Sequence, residues 1–159
     1  MGRNEIGAKA ARELAAIPGF AGCTKRQLAQ VDRLTDRIEA VPGQMLVREG
    51  GLGREAYVII SGSATVTRRG RLITTLGPGD YFGELAAIDT GRRDATLTAM
   101  STLEVLSIGP REFTTLLADI QAFRDVLLRG MARNLRAAND TIETMRIVFQ
   151  DAPMAPAGR

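Results

Sequence analysis

The chain contains no histidine and only one cysteine in 159 residues. Without an imidazole it lacks the usual general base near neutral pH and the commonest nitrogen ligand for a metal. Most hydrolytic and metal-dependent mechanisms therefore lose their principal participant. Cys23, standing alone, can close no internal disulfide and build no multi-thiolate metal site; it reads as a small buried hydrophobe, with no sign of an oxidising compartment. No run nears the roughly 18 consecutive apolar residues of a membrane span. The opening Met1, Arg3, Asn4 and Glu5 lack the apolar stretch of a secretory signal, so a cytoplasmic location is expected. Aromatics make up 4%, and the basic residues behind the net charge of +3 are scattered, which leaves few stacking platforms and no concentrated patch for nucleic acid. Lysine is confined to Lys9 and Lys25 beside many arginines, a bias of GC-rich bacterial genomes.

Hydrophobic residues at 45% in a chain of this length suffice for one core and not for two ordinary domains, so a single domain over 1–149 is expected. Its parts are helices in 1–35, a β region in 36–108 and helices in 110–149, followed by a disordered tail at 150–159 rich in proline and small residues. Good helix formers run from Glu5 to Ala16 and are stopped by Pro18 and Gly19. Thr24 with Gln27 forms a capping box that opens a helix at 24–35. From Ile38 the texture changes to short runs rich in Val, Ile and Thr at 37–41, 45–47, 56–61, 64–67, 72–76, 95–100 and 103–108, separated by glycine-bearing turns. This pattern predicts an eight-stranded antiparallel jelly-roll barrel in a mainly β, α+β fold. Arg68, Arg69 and Arg71 read as a solvated hairpin tip. Pro110 opens a helix carrying Phe113, Leu116 and Leu117. Leu128, Met131, Leu135, Ala138, Ile142, Met145 and Phe149 then follow at alternating spacings of three and four, the seam of a coiled coil. That stripe over 128–149 packs either on the chain's own β region or on a partner, a second copy or an effector protein.

One segment, from Leu76 to Ala99, carries chemistry: LGPGDYFGELAAIDTGRRDATLTA. Phe82 and Gly83 lead from a strand into a short helix beginning near Glu84, whose first N–H groups have no intrahelical partner and attract anions. Gly83 lets a ligand approach the backbone. Arg93, nine positions after Glu84 and just before the next strand, can reach back to the same anion and clamp it bidentately.

This segment closely resembles the phosphate-binding cassette, here 82–96, of the cyclic nucleotide-binding domain family, as in the sensor domains of catabolite activators and protein kinase A regulatory subunits. PGQMLVREG around Gly43 and YVIISGSATV around Gly62 resemble the family's earlier strands, and the likeness spans nearly the whole chain, as a stand-alone bacterial member. The resemblance implies a regulatory domain that binds cyclic AMP, or alternatively cyclic GMP, with no catalytic residue, no metal and no cofactor beyond that ligand. It assigns Glu84 to the ribose 2′-hydroxyl, Arg93 to the exocyclic phosphate oxygens, and the backbone of Gly83, Leu85 and Ala95 to the remaining contacts. Ile73, Thr74 and Leu76 line the base side, and Asn134, Ala138 and Asn139 are candidates for a lid on the long helix.

Two positions depart from the family. Asp94 stands where a small or hydroxyl residue is usual and brings a carboxylate beside the phosphate site, costly if buried there and merely trimming affinity if turned to solvent or paired with Arg92. Arg92 itself replaces a frequent proline. A module that has lost nucleotide binding and serves only dimerisation or docking is the competing reading. A DNA-binding element is not expected, since only about ten residues follow Phe149. The cupin enzymes share the barrel but need the histidines this chain lacks.

Overall fold

A computed structural model describes residues 3–83 and 91–151. The chain divides into two compact units, Met1–Leu127 and Leu128–Arg159. In chain order the described elements are α1 (Arg3–Ala15), α2 (Lys25–Leu34), β1 (Asp36–Ala40), β2 (Met45–Val47), β3 (Ala56–Ser61), β4 (Ala64–Arg68), β5 (Arg71–Leu76), β6 (Tyr81–Phe82), β7 (Thr96–Ala99), β8 (Leu103–Ile108), α3 (Pro110–Asp119) and α4 (Gln121–Asp151).

The strands form two antiparallel four-stranded sheets, one ordered β1-β8-β3-β6 and the other β2-β7-β4-β5. The closed barrel expected from the sequence is not formed among the described residues: no described strand pairs across the two sheets, which face each other as a two-sheet jelly roll. β6 is too short to have shown as a run in the sequence, and its two residues pair with Tyr57 and Val58.

The sequence of β3, AYVIIS, is apolar without alternation because the strand is covered on both faces. Ala56 and Val58 join Leu106 and Ile108 of β8 under the helices, in a cluster with Leu14, Phe20, Val31, Phe113, Leu116 and Phe123. Tyr57 and Ile59 face the other way, into a second cluster between the sheets with Val66, Phe82, Leu97 and Val105. Period-two alternation thus makes the β3–β8 pair the wall shared by two cores. Each fully buried Leu, Ile or Phe contributes about 1.5 to 3 kcal/mol of transfer free energy.

Local signals set the helix ends. In α2, Thr24 Oγ1 accepts from Gln27 N–H at 3.1 Å while the Gln27 side chain accepts from Thr24 N–H at 2.9 Å, which completes the predicted capping box. α3 has no side-chain cap at Gly109 and relies on Pro110 in its first turn. α4 runs 31 residues, through Gln150 to Asp151, so its last turn takes up the first residues of the expected tail; residues 152–159 lie outside the described part. In the second unit, residues 131–148 are exposed throughout. Leu128, Leu135, Ile142 and Met145 of the predicted stripe are more than half exposed. Among the described residues no helix is long and apolar enough to cross a membrane.

The β3–β4 turn depends on Gly62. Its φ of +85° is one that L side chains rarely adopt, and a Cβ there would lie 2.1 Å from the carbonyl oxygen of Thr102. Gly62→Ala is expected to destabilise the fold by more than about 1 kcal/mol, read as a lower midpoint in urea with an unchanged slope.

Candidate functional site

The stretch before β7 is held by main-chain bonds. Gly50 N–H donates to the Arg93 carbonyl at 2.7 Å, and Arg93 N–H donates to the Gly51 carbonyl at 2.9 Å. With this backbone fixed, strand-like alternation decides what each side chain meets: Arg93 and Ala95 are buried, while Arg92 and Asp94 are exposed. Arg92 Nη1 donates to the Gly50 carbonyl at 2.9 Å and takes no part in the interior. Arg93 is the one buried charged side chain among the described residues, only 6% exposed.

Inside, Arg93 Nη2 donates to the Glu55 carbonyl at 2.8 Å and lies 3.6 Å from Glu55 Oε2, an ion pair too long to count as a good hydrogen bond. The guanidinium carbon sits 5.8 Å from the centre of the Tyr57 ring. Nη1 is buried with no hydrogen-bond partner among the described residues. Two glycines make the space. A Cβ at Gly83, whose φ is +83°, would fall 2.5 Å from Nη1 and 2.8 Å from the Glu55 carbonyl oxygen. A Cβ at Gly53 would fall 3.0 Å from both Nε and Nη2.

Electrostatically this is a cation short of partners. Taking a charge out of water costs several kcal/mol. Here one carbonyl and one distant, half-exposed carboxylate offset only part of that cost. Glu55 also reaches solvent, lining a groove of about 650 Å³ with Leu52, Pro110, Arg111 and Glu112. Burial pushes the Tyr57 phenol up from its ordinary range and Glu55 adds to the rise, while Arg93 and the Ser107 hydrogen bond work against it. The phenol therefore stays neutral beside the guanidinium. A planar donor group with a free N–H, facing a glycine that carries no side chain, is suited to an incoming phosphate or carboxylate.

Of the residues named from the sequence, Gly83, Arg93 and Ala95 come together here, with Ala95 in the same cluster as Tyr57 and Phe82. Leu76 packs partly buried against that cluster. Thr74 pairs with Val66, which pairs with Leu97, so Thr74 belongs to the same inner face, yet it is exposed. Ile73 falls at the register shift between Thr74 and Leu72 and is 53% exposed. Asn134, Ala138 and Asn139 are exposed on α4 in the second unit. Glu84 and Leu85 lie outside the described residues, as does the short helix expected to begin near Glu84.

Asp94 pairs neither with Arg92 nor with solvent alone. Arg68 Nη2 meets its Oδ2 at 3.0 Å and Arg68 Nε donates to its carbonyl at 3.0 Å. The sequence reading also missed Glu55, Tyr57 and Gly53. The available signal was the one acid that directly precedes the apolar run of β3, a place where a carboxylate borders a strand buried on both faces.

Because Arg93 is poorly compensated, its buried charge adds little to the stability of the ligand-free fold. Arg93→Met, which keeps the length and removes the charge, should leave the unfolding free energy unchanged or raise it. A loss above about 1 kcal/mol in urea denaturation would make Arg93 a structural residue instead.

Three comparisons bear on this geometry. A family model described as the cyclic nucleotide-binding domain matches residues 37–119. The "CRP-like cAMP-activated global transcriptional regulator" of Mycobacterium tuberculosis is 31% identical over 139 residues, covering 84% of this chain and 61% of that protein. The crystal structure of the Thermus thermophilus catabolite activator protein superposes with a TM-score of 0.70 at 26% identity, over 81% of this chain and 63% of the other. A cAMP-binding acyltransferase from Mycobacterium smegmatis gives 0.71 at 28% identity, over 84% and 43%. The chain thus spans less than two thirds of each of these proteins.

Proposed function

Since the chain belongs to the cyclic nucleotide-binding domain family, we propose that it is a regulatory sensor that binds cyclic AMP and catalyses no reaction on it. The observation that carries this reading is the buried Arg93 with an unpartnered Nη1 facing Gly83. An exocyclic phosphate there supplies the acceptor that Nη1 lacks and the negative charge that Glu55 supplies only at 3.6 Å. Ala95 N–H, directly before β7, and the backbone of Gly83 and Leu85 are the further donors. Glu84 takes the ribose 2′-hydroxyl. Thr74, Leu76 and Ile73 face the base, and Asn134, Ala138 and Asn139 contribute from α4 as a lid. Cyclic GMP is the alternative ligand.

The output is a change in α4, whose exposed Leu128, Leu135, Ile142 and Met145 meet a second copy or an effector protein in one state and not in the other. A ligand shifts such an equilibrium only by its difference in affinity for the two states. That same exposed stripe favours the second reading, an interaction module without nucleotide binding.

Titration calorimetry separates the two. Saturable cyclic AMP binding with a dissociation constant on the order of micromolar or tighter is expected, with linear AMP much weaker. Arg93→Ala should cost about 2 to 5 kcal/mol, roughly 30-fold or more. Unchanged affinity in that variant refutes the phosphate clamp, and the absence of heat or competition at millimolar nucleotide supports the interaction module.

A further inference from the structure

A carboxylate placed directly after an anion-binding arginine is an electrostatic liability. It repels the incoming anion and offers the guanidinium a competing partner. Asp94 is such a carboxylate, and the way this chain contains it is visible in the β4–β5 hairpin. Arg68, the last residue of β4, spends two of its donors on one residue: Nη2 on the Asp94 carboxylate and Nε on the Asp94 main-chain carbonyl, both at 3.0 Å. The first contact sets a positive charge on the outward-facing carboxylate. The second fixes the peptide that joins Asp94 to Ala95, directly before β7.

The neighbouring acid is restrained by the same hairpin. Glu49 Oε2 accepts the Arg69 N–H at 2.9 Å, and Arg69 holds a φ of +52° to present it. Glu49 is the residue before Gly50, whose own N–H holds the Arg93 carbonyl. The hairpin tip that reads from sequence as a solvated basic loop therefore ties up both carboxylates flanking the Arg93 backbone.

We propose that Arg68 is a positioning residue for anion binding, the counter-charge that makes Asp94 compatible with a phosphate on Arg93. This rests on the reading of Arg93 as the phosphate clamp. The side chains of Arg68 and Asp94 are 49% and 67% exposed, so their ion pair contributes little to stability. Its effect falls on ligand affinity, which distinguishes a positioning role from a structural one.

The test is a double-mutant cycle on the full chain, with cyclic AMP titrated at low salt into the unaltered protein, Arg68→Ala, Asp94→Ser and the double variant. Arg68→Ala should weaken binding by roughly 3- to 10-fold, the scale of one uncompensated charge several ångströms from the anion. Asp94→Ser should bind as well as or better than the unaltered chain, and the double variant should match Asp94→Ser. All four should melt at the same temperature, and the Arg68→Ala deficit should shrink at high salt. Unchanged affinity in Arg68→Ala, or an equal deficit with and without Asp94, overturns the proposal while leaving the clamp intact. No cyclic AMP binding by the unaltered chain overturns the clamp reading and this one together.

Discussion

The guanidinium of Arg93 is the constraint around which the first unit is arranged. A buried cation with one good acceptor and one free N–H is tolerated only where backbone and neighbours leave it no other conformation. The Gly50 and Gly51 main-chain bonds hold its backbone, the strand alternation at 93–95 sends its side chain inward, and the Tyr57 ring lies on one side of it. Gly53 and Gly83 are glycines because any Cβ would press on the guanidinium. Leaving Nη1 unsatisfied costs about 1 to 3 kcal/mol. Recovering that energy on binding corresponds to a factor of about 5 to 150 in affinity for an anion over a neutral ligand of the same shape.

A site with that deficit needs a scaffold that does not relax to relieve it. The β3–β8 wall provides this, since Tyr57 and the Glu55 carbonyl sit at the start of a strand packed on both faces. Interiors this dense are stiff, and moving β3 to satisfy Nη1 would disturb the helix-side and inter-sheet clusters at once. The rigid strand thus carries Tyr57 and follows directly on Glu55, while Arg93 is held by main-chain bonds shortly before β7. The residues left exposed, Thr74 and Ile73, belong to the edge strand β5, where a bulge already interrupts the register.

Much of this was legible in the sequence, and the exceptions have physical causes. β2, β3 and β8 fall where the Val- and Ile-rich runs ended, because turn glycines punctuate them, and the Thr24–Gln27 box marks α2 unambiguously. Arg93 was distinguishable from Arg92 by its spacing of nine from Glu84, and in the structure Arg93 is the one of the two that is buried. Closure was not legible: a barrel and two facing sheets share the same alternation, and only cross-strand hydrogen bonds separate them. Glu55 and Arg68 were missed for a common reason. Each acts on a residue 38 or 26 positions away, and neither local propensity nor periodicity records a contact of that range.

The same unit contains a physical link between the site and the base of α4. Gly83 follows β6 directly, and Tyr81 of that strand donates its hydroxyl proton to the carbonyl of Leu127, the last residue of the first unit. Gly83 is joined to a two-residue strand held to β3, among the described residues, by the pairs Tyr57–Phe82 and Val58–Tyr81. A strand so short yields more readily than the β3–β8 wall behind it. Its hydroxyl bond ends on a helical carbonyl that already serves the ladder of α4. The Tyr81 bond thus ties the short strand beside Gly83 to the first turns of α4 within the first unit.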